Sequence, residues 1–159
     1  MFAQNITTID FYNKSLTSLP DDFCHELTNI PNLEKLNIHN QLTSLPDGFG
    51  LVLSNLPNLK KLYLSKNLFT SLPDGFGQNL MKLETLDLEL NKLTSLPDGF
   101  GQNLHNLTGL YLNENQLTSL PDGFGLVLSN LPSLTDLSLN NNQALARVYL
   151  MGLDGICLV

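Results

Sequence analysis

The chain has 159 residues and 17.6 kDa, 42% hydrophobic and 14% charged, which is one domain's length with enough apolar material for a core and argues against disorder. Fifteen acidic against eight basic residues leave a formal charge of −7, which repels nucleic-acid phosphates and anionic membranes. No apolar run reaches the roughly 18 residues of a membrane span, and Cys24 and Cys157 are too far apart in sequence to suggest a metal-ligand pair or a disulfide framework.

In chain order, one apolar pattern recurs, starting at Ile6, Leu33, Leu59, Leu83, Leu107 and Leu134, in steps of 27, 26, 24, 24 and 27 residues. The stretch from Met1 to Asn13 has no basic charge and no sustained apolar run, so no secretory leader is expected in it. A cytoplasmic protein and one exported without a classical leader both stay open. The first copy continues to Ser-Leu-Pro-Asp-Asp-Phe at Ser18, and the next four copies carry Ser-Leu-Pro-Asp-Gly-Phe-Gly at Ser44, Ser71, Ser95 and Ser119. In each, a period-two apolar pair such as Leu86 and Leu88 predicts a short strand. A polar corner follows, and then Pro-Asp-Gly, whose rigid proline and permissive glycine turn the chain back. A single copy cannot bury its leucines, whereas copies stacked side by side can.

Phe23, Phe49, Phe76, Phe100 and Phe124 each follow this turn and are expected to form a buried stack. Three of the copies are longer after that phenylalanine by three residues, about one helical turn. Leu-Val-Leu-Ser-Asn-Leu-Pro, from Leu51 and again from Leu126, fits a short α-helix closed by Pro57 or Pro132. Loop and 3₁₀ structure fit those segments as well. An asparagine recurs in phase at Asn67, Asn91, Asn115 and Asn142, where an interior turn must satisfy buried backbone groups, so these four are expected to form a structural ladder between coils. Lys14 holds that offset in the first copy, and Asn40 arrives one residue early in the second. The ladder is therefore expected to be weakest at the amino-terminal end.

The spacing Leu-x-x-Leu-x-Leu-x-x-Asn-x-Leu, seen from Leu83 to Leu93 and from Leu107 to Leu117, resembles that of the leucine-rich repeat family, and the resemblance covers nearly the whole chain. It implies an α/β solenoid, a curved horseshoe with a parallel β-sheet on its concave face and loops, 3₁₀ turns or short helices on its convex face. On this reading residues 1–159 form a single domain of about six repeats. The compact copies, near-identical Leu-Thr-Ser-Leu-Pro turns and absence of cysteine caps resemble the leucine-rich repeat effectors of intracellular bacterial pathogens. That implies a non-enzymatic module that binds a protein partner, a host protein among the candidates, and needs no cofactor.

If the strand leucines point inward, the residues between and beside them line the sheet face. The central column reads Asp10, Asn37, Tyr63, Asp87, Tyr111 and Ser138. Thr8, Lys35, Lys61, Thr85, Gly109 and Asp136 precede it, and Tyr12, His39, Ser65, Glu89, Asn113 and Asn140 follow it. Tyr63 and Tyr111 flank Asp87, with Glu89 and Glu114 nearby, and tyrosines suit interface anchors. The expected contact residues are Tyr12, Asn37, His39, Lys61, Tyr63, Asp87, Glu89, Tyr111, Asn113 and Glu114. Charge is uneven: up to Lys82 six lysines meet seven acids, net −1, and from Leu83 onward Lys92 and Arg147 meet eight acids, net −6. The second half should attract a basic protein surface.

Catalytic readings are weaker. His25, His39 and His105 fall in different phases of the repeat, no serine or cysteine nucleophile has an evident base at a recurring position, and Cys24 next to His25 is adjacency along a turn, which does not orient a nucleophile and base. Asp87, Glu89 and Glu114 lack a coordinating loop for a metal. At the far end Ala144 to Arg147 replace the expected turn and an apolar tail, 148–159, follows. Three roles for residues 144–159 stay open: a cap on the last coil, a surface joining two copies of the protein, or the start of a longer array.

Overall fold

The computed structural model describes residues 5–142 and 145. Among these residues, six three-residue strands, β1 (Thr8–Asp10), β2 (Lys35–Asn37), β3 (Lys61–Tyr63), β4 (Thr85–Asp87), β5 (Gly109–Tyr111) and β6 (Asp136–Ser138), form one parallel sheet in sequence order. Three short helices, α1 (Phe23–Thr28), α2 (Phe49–Ser54) and α3 (Phe124–Ser129), occupy the long coils. The coils stack into a solenoid with one parallel sheet, the architecture that the resemblance implied.

The register follows from the leucines. Ile9, Leu36, Leu62, Leu86, Leu110 and Leu137 pair in one row across the six strands. All but Ile9 are buried, joined by Leu33, Leu59, Leu83 and Leu107 from the entry to each strand and Ile38, Leu64, Leu88 and Leu112 from its exit. Each fully buried leucine contributes about 1.5–3 kcal/mol relative to exposure, and it can do so only when the next coil covers it. Ile9, Leu16 and Leu19, with a coil on one side only, are half-buried.

Behind the sheet runs the phenylalanine stack. Phe23, Phe49, Phe76 and Phe100 follow one another at 6.3, 6.5 and 6.5 Å between centroids with interplanar angles of 9° to 14°, and Phe124 tilts to 34° at 6.3 Å. The turn before each phenylalanine fixes this spacing. The Phe49, Phe76, Phe100 and Phe124 N–H groups donate to the carbonyls of Pro46, Pro73, Pro97 and Pro121. Gly48, Gly75, Gly99 and Gly123 take φ of 71° to 77° at the third turn position, the left-handed conformation that a type II turn demands there. The first copy has Asp22 instead, at φ −87° and ψ 1°. Its turn is type I, closed by the same Phe23 to Pro20 bond at 3.0 Å.

After the turn the coils diverge. Following Phe49 and Phe124 the chain enters α2 and α3, so the open choice among loop, 3₁₀ and α-helix resolves to α-helix in both and in α1 as well. In the two shorter coils the second glycine of the same string, Gly77 or Gly101, swings to φ 79° or 86° and the chain crosses in turns. Three extra residues decide between helix and turn.

Candidate functional site

Strand pairing places the central column side by side: Asp10 against Asn37, then Tyr63, Asp87, Tyr111 and Ser138. Tyr63 and Tyr111 therefore flank Asp87 on adjacent strands, each about 4.8 Å from it in backbone terms. All three are half-buried. The column also shapes its own backbone: Oδ1 of Asp10, Asn37 and Asp87 accepts the N–H two residues on, from Tyr12, His39 and Glu89, at 2.8, 3.3 and 3.1 Å.

Asn37, one of the expected contact residues, is among the buried polar side chains. Its exposure is 9%. Lys35, two residues earlier on β2, has its ammonium 5.5 Å from the ring of Tyr63, the strand partner of Asn37. The Lys35 ammonium also lies 4.0 Å from Asp10. Lys61 stands exposed at the start of β3. Tyr12 and His39 form a separate group over the first two coils, ring centroids 4.5 Å apart. Burial lowers the His39 pKa first, and the Lys66 charge lowers it further, against a smaller upward pull from Asp87 and Glu89.

Tyr111 is held differently. Its ring lies over Gly109 of its own strand, where a Cβ would meet the ring and hydroxyl at 2.9 Å. The missing side chain at Gly109 lets the phenol lie down along the sheet. Burial, followed by the charges of Asp136 and Asp87, raises the Tyr111 pKa, so the hydroxyl stays protonated well past neutral pH. Beside it is a hollow of about 340 Å³ lined by Glu89, Tyr111, Asn113, Asp136, Ser138 and Asn140, among others. Ser138 donates to Asn140 at 2.7 Å, whereas the buried Oδ1 of Asn113 has no hydrogen-bond partner among the described residues. Glu114 belongs to a corner instead of a column: it has φ 55°, and its carboxylate accepts from Asn141 one coil on.

The asparagines bind coil to coil. Oδ1 of Asn67, Asn91, Asn115 and Asn142 accepts the N–H of Leu42, Phe69, Leu93 and Leu117 in the preceding coil. Their amides donate back to the carbonyls of Ile38, Leu64, Leu88 and Leu112. Asn40, which the spacing set aside, makes the same bonds to Lys14, Leu16 and Phe11. The reason lies one residue upstream. Lys66, Leu90, Glu114 and Asn141, each preceding a ladder asparagine, adopt φ of 54° to 57°, and the second coil has no left-handed residue before Asn40. The deletion removes that kink and leaves the rung in place, a signal that aligning on the following Leu42 would have revealed.

Among the described residues no group of three or more histidine, cysteine or acidic side chains could hold a metal ion. Burial raises the pKa of Cys24, which disfavours the thiolate a nucleophile needs. No helix among the described residues is long and apolar enough to cross a membrane. Residues 144 and 146–159 of the tail, with Gln143, lie outside the described residues.

A family model described as leucine rich repeat matches residues 57–117 and 81–144. A comparison with curated proteins finds no match. Among solved structures, a leucine-rich repeat protein of Leptospira interrogans is similar at 31% identity and TM-score 0.67, covering 89% of this chain and 38% of its own. YopM from Yersinia enterocolitica is similar at 32% identity and TM-score 0.58, over 86% of this chain and 25% of its own. The leucine-rich repeat domain of APL1B matches at 25% identity and TM-score 0.69, over 86% and 37%. The chain thus spans between a quarter and two fifths of the length of these three structures.

Proposed function

The chain belongs to the leucine-rich repeat family, a fold of protein-interaction modules, and from that premise we propose that it is a non-enzymatic module gripping a protein partner across the concave sheet face. The observation that carries this is the unbroken row Tyr63, Asp87, Tyr111 in strand register on an uncovered face. Tyrosines supply wide contact area at small entropy cost and retain a polar tip, and here they frame a half-buried carboxylate. Lys61, Glu89, Asn113 and Glu114 would extend the contact around them, with Tyr12 and His39 at its far end and Asn37 beneath it.

The test is capture of partner proteins by the full chain and by a variant carrying Tyr63→Ala, Asp87→Ala and Tyr111→Ala. Loss of one central interface residue typically costs about 1–2 kcal/mol or more, so the triple variant should lose at least tenfold in affinity. Unchanged affinity would remove this face as the interface.

Delivery into a host cell and a host protein as partner are the finer form of the proposal, supported by the resemblance to bacterial effectors and the likeness to the Leptospira and Yersinia proteins. Residues 1–159 are proposed as one domain, with 144–159 capping its last coil or joining two copies. A chain ending at Gln143 distinguishes these: lower stability at equal mass supports the cap, a fall from dimer to monomer supports assembly, and equal mass and stability would count against both.

A further inference from the structure

Within that interface reading, on which this step rests, the hollow across β4 to β6 has a chemistry of its own. Asn113 lines it, and the buried Oδ1 of that residue is an acceptor that no donor among the described residues satisfies. Such an atom is costly to leave dry and unpaired. Its rim is acidic, with Glu89 on the fourth coil and Asp136 on the sixth. One wall is the Tyr111 ring, laid flat by Gly109. The other polar groups, Ser138 and Asn140, are bonded to each other. What is missing is a positively charged, planar donor with several N–H groups.

We propose that this hollow receives an arginine side chain from an extended segment of the protein partner, the guanidinium stacking on Tyr111, donating to Asn113 Oδ1 and facing Glu89 and Asp136. Arginine fits better than lysine because its fork presents several donors in one plane and stacks on aromatic faces. Charge complementarity agrees: the half of the chain from Leu83 onward has net charge −6, from eight acids against Lys92 and Arg147. The other end of the face carries the strand pair Lys35 and Lys61, which repels a second cation. The segment is therefore expected to lie with its basic end over β5 and β6.

The experiment uses the full chain, isotope-labelled for amide NMR, with the acetylated, amidated pentapeptide Gly-Gly-Arg-Gly-Gly and its citrulline counterpart, which keeps the shape without the charge. The arginine peptide should shift the amide signals of residues 109–113 and 136–140, and the citrulline peptide should not. Asp136→Asn and Asn113→Ala should each weaken the arginine peptide about fivefold or more. Asp98→Asn, an exposed acid in the turn row outside the hollow, should leave it unchanged. Equal shifts from citrulline, equal weakening by Asp98→Asn, or no shift at the hollow would each overturn the inference. The capture experiment needs no guanidinium. Capture that depends on Tyr63 and Tyr111 while the peptide fails overturns only the arginine site, and capture indifferent to the face overturns both.

Discussion

At the residue scale, the ladder asparagines do two jobs at once. Asn91 accepts from the buried Phe69 N–H at 3.2 Å and donates to Leu64 and Leu88 carbonyls at 3.0 and 3.1 Å. Asn91→Ala leaves the buried Phe69 N–H unmatched, while the Leu64 and Leu88 carbonyls keep the amides of Asn67 and Asn115, and should cost about 1–3 kcal/mol in urea unfolding. Its neighbour offers the opposite case. Leu90 adopts φ 54° and is 37% exposed, a left-handed conformation that costs an L-residue about 1 kcal/mol or more. Asn141 fills the equivalent corner of the last coil, so Leu90→Asn is expected to stabilise the chain by about 0.5–1 kcal/mol, read as a higher urea midpoint with unchanged slope. A titration lies at His39. Its folded pKa is below the ordinary 6.5, from burial first and Lys66 second. Protons then favour the unfolded chain, so stability is full above that ordinary value and falls as pH drops through the lowered one. Urea midpoints at about pH 7.5 and 5.5 should differ in wild type and converge in His39→Gln.

At the element scale, one string of seven residues gives two structures. In the long coils Gly50 and Gly125 enter helices, and in the short coils Gly77 and Gly101 turn left-handed. The strands, the phenylalanine stack and the Pro-Asp-Gly turns were legible because their spacing is fixed by what must be buried. The choice between helix and turn was not, since it depends on how much chain must span from the phenylalanine to the next strand-entry leucine. The column register was legible from the strand leucines, whereas the flattening of Tyr111 over Gly109 and the unpaired Asn113 oxygen depend on side-chain directions that spacing does not carry. Neighbours also set the sign of a substitution. A Cβ on Gly50 would meet the Phe76 nitrogen at 2.8 Å and the Asp74 oxygen at 3.0 Å, while one on Gly125 meets nothing within 4 Å. Gly50→Ala should therefore destabilise by about 1–3 kcal/mol, and Gly125→Ala should stabilise by up to about 1 kcal/mol. Thermal midpoints moving in opposite directions would check both. A destabilising Gly125→Ala would mean that something covers α3.

At the scale of the whole molecule, strand contacts among the described residues run only between consecutive strands, and the one helix pair in contact is α1 with α2. α2 and α3 are kept apart by two coils that cross in turns. Sequence periodicity revealed this arrangement in full, because a repeat that cannot bury its own leucines has no option but its neighbours. Since no contact between elements among the described residues skips a coil, tension applied to the two ends loads one seam at a time and finds no distant strand to shear against. In an optical trap the chain should lengthen in small successive steps, each freeing 24 to 27 residues; a single abrupt rupture would contradict it. Under load, such a molecule behaves like a zip fastener, giving way tooth by tooth and closing again from whatever remains engaged.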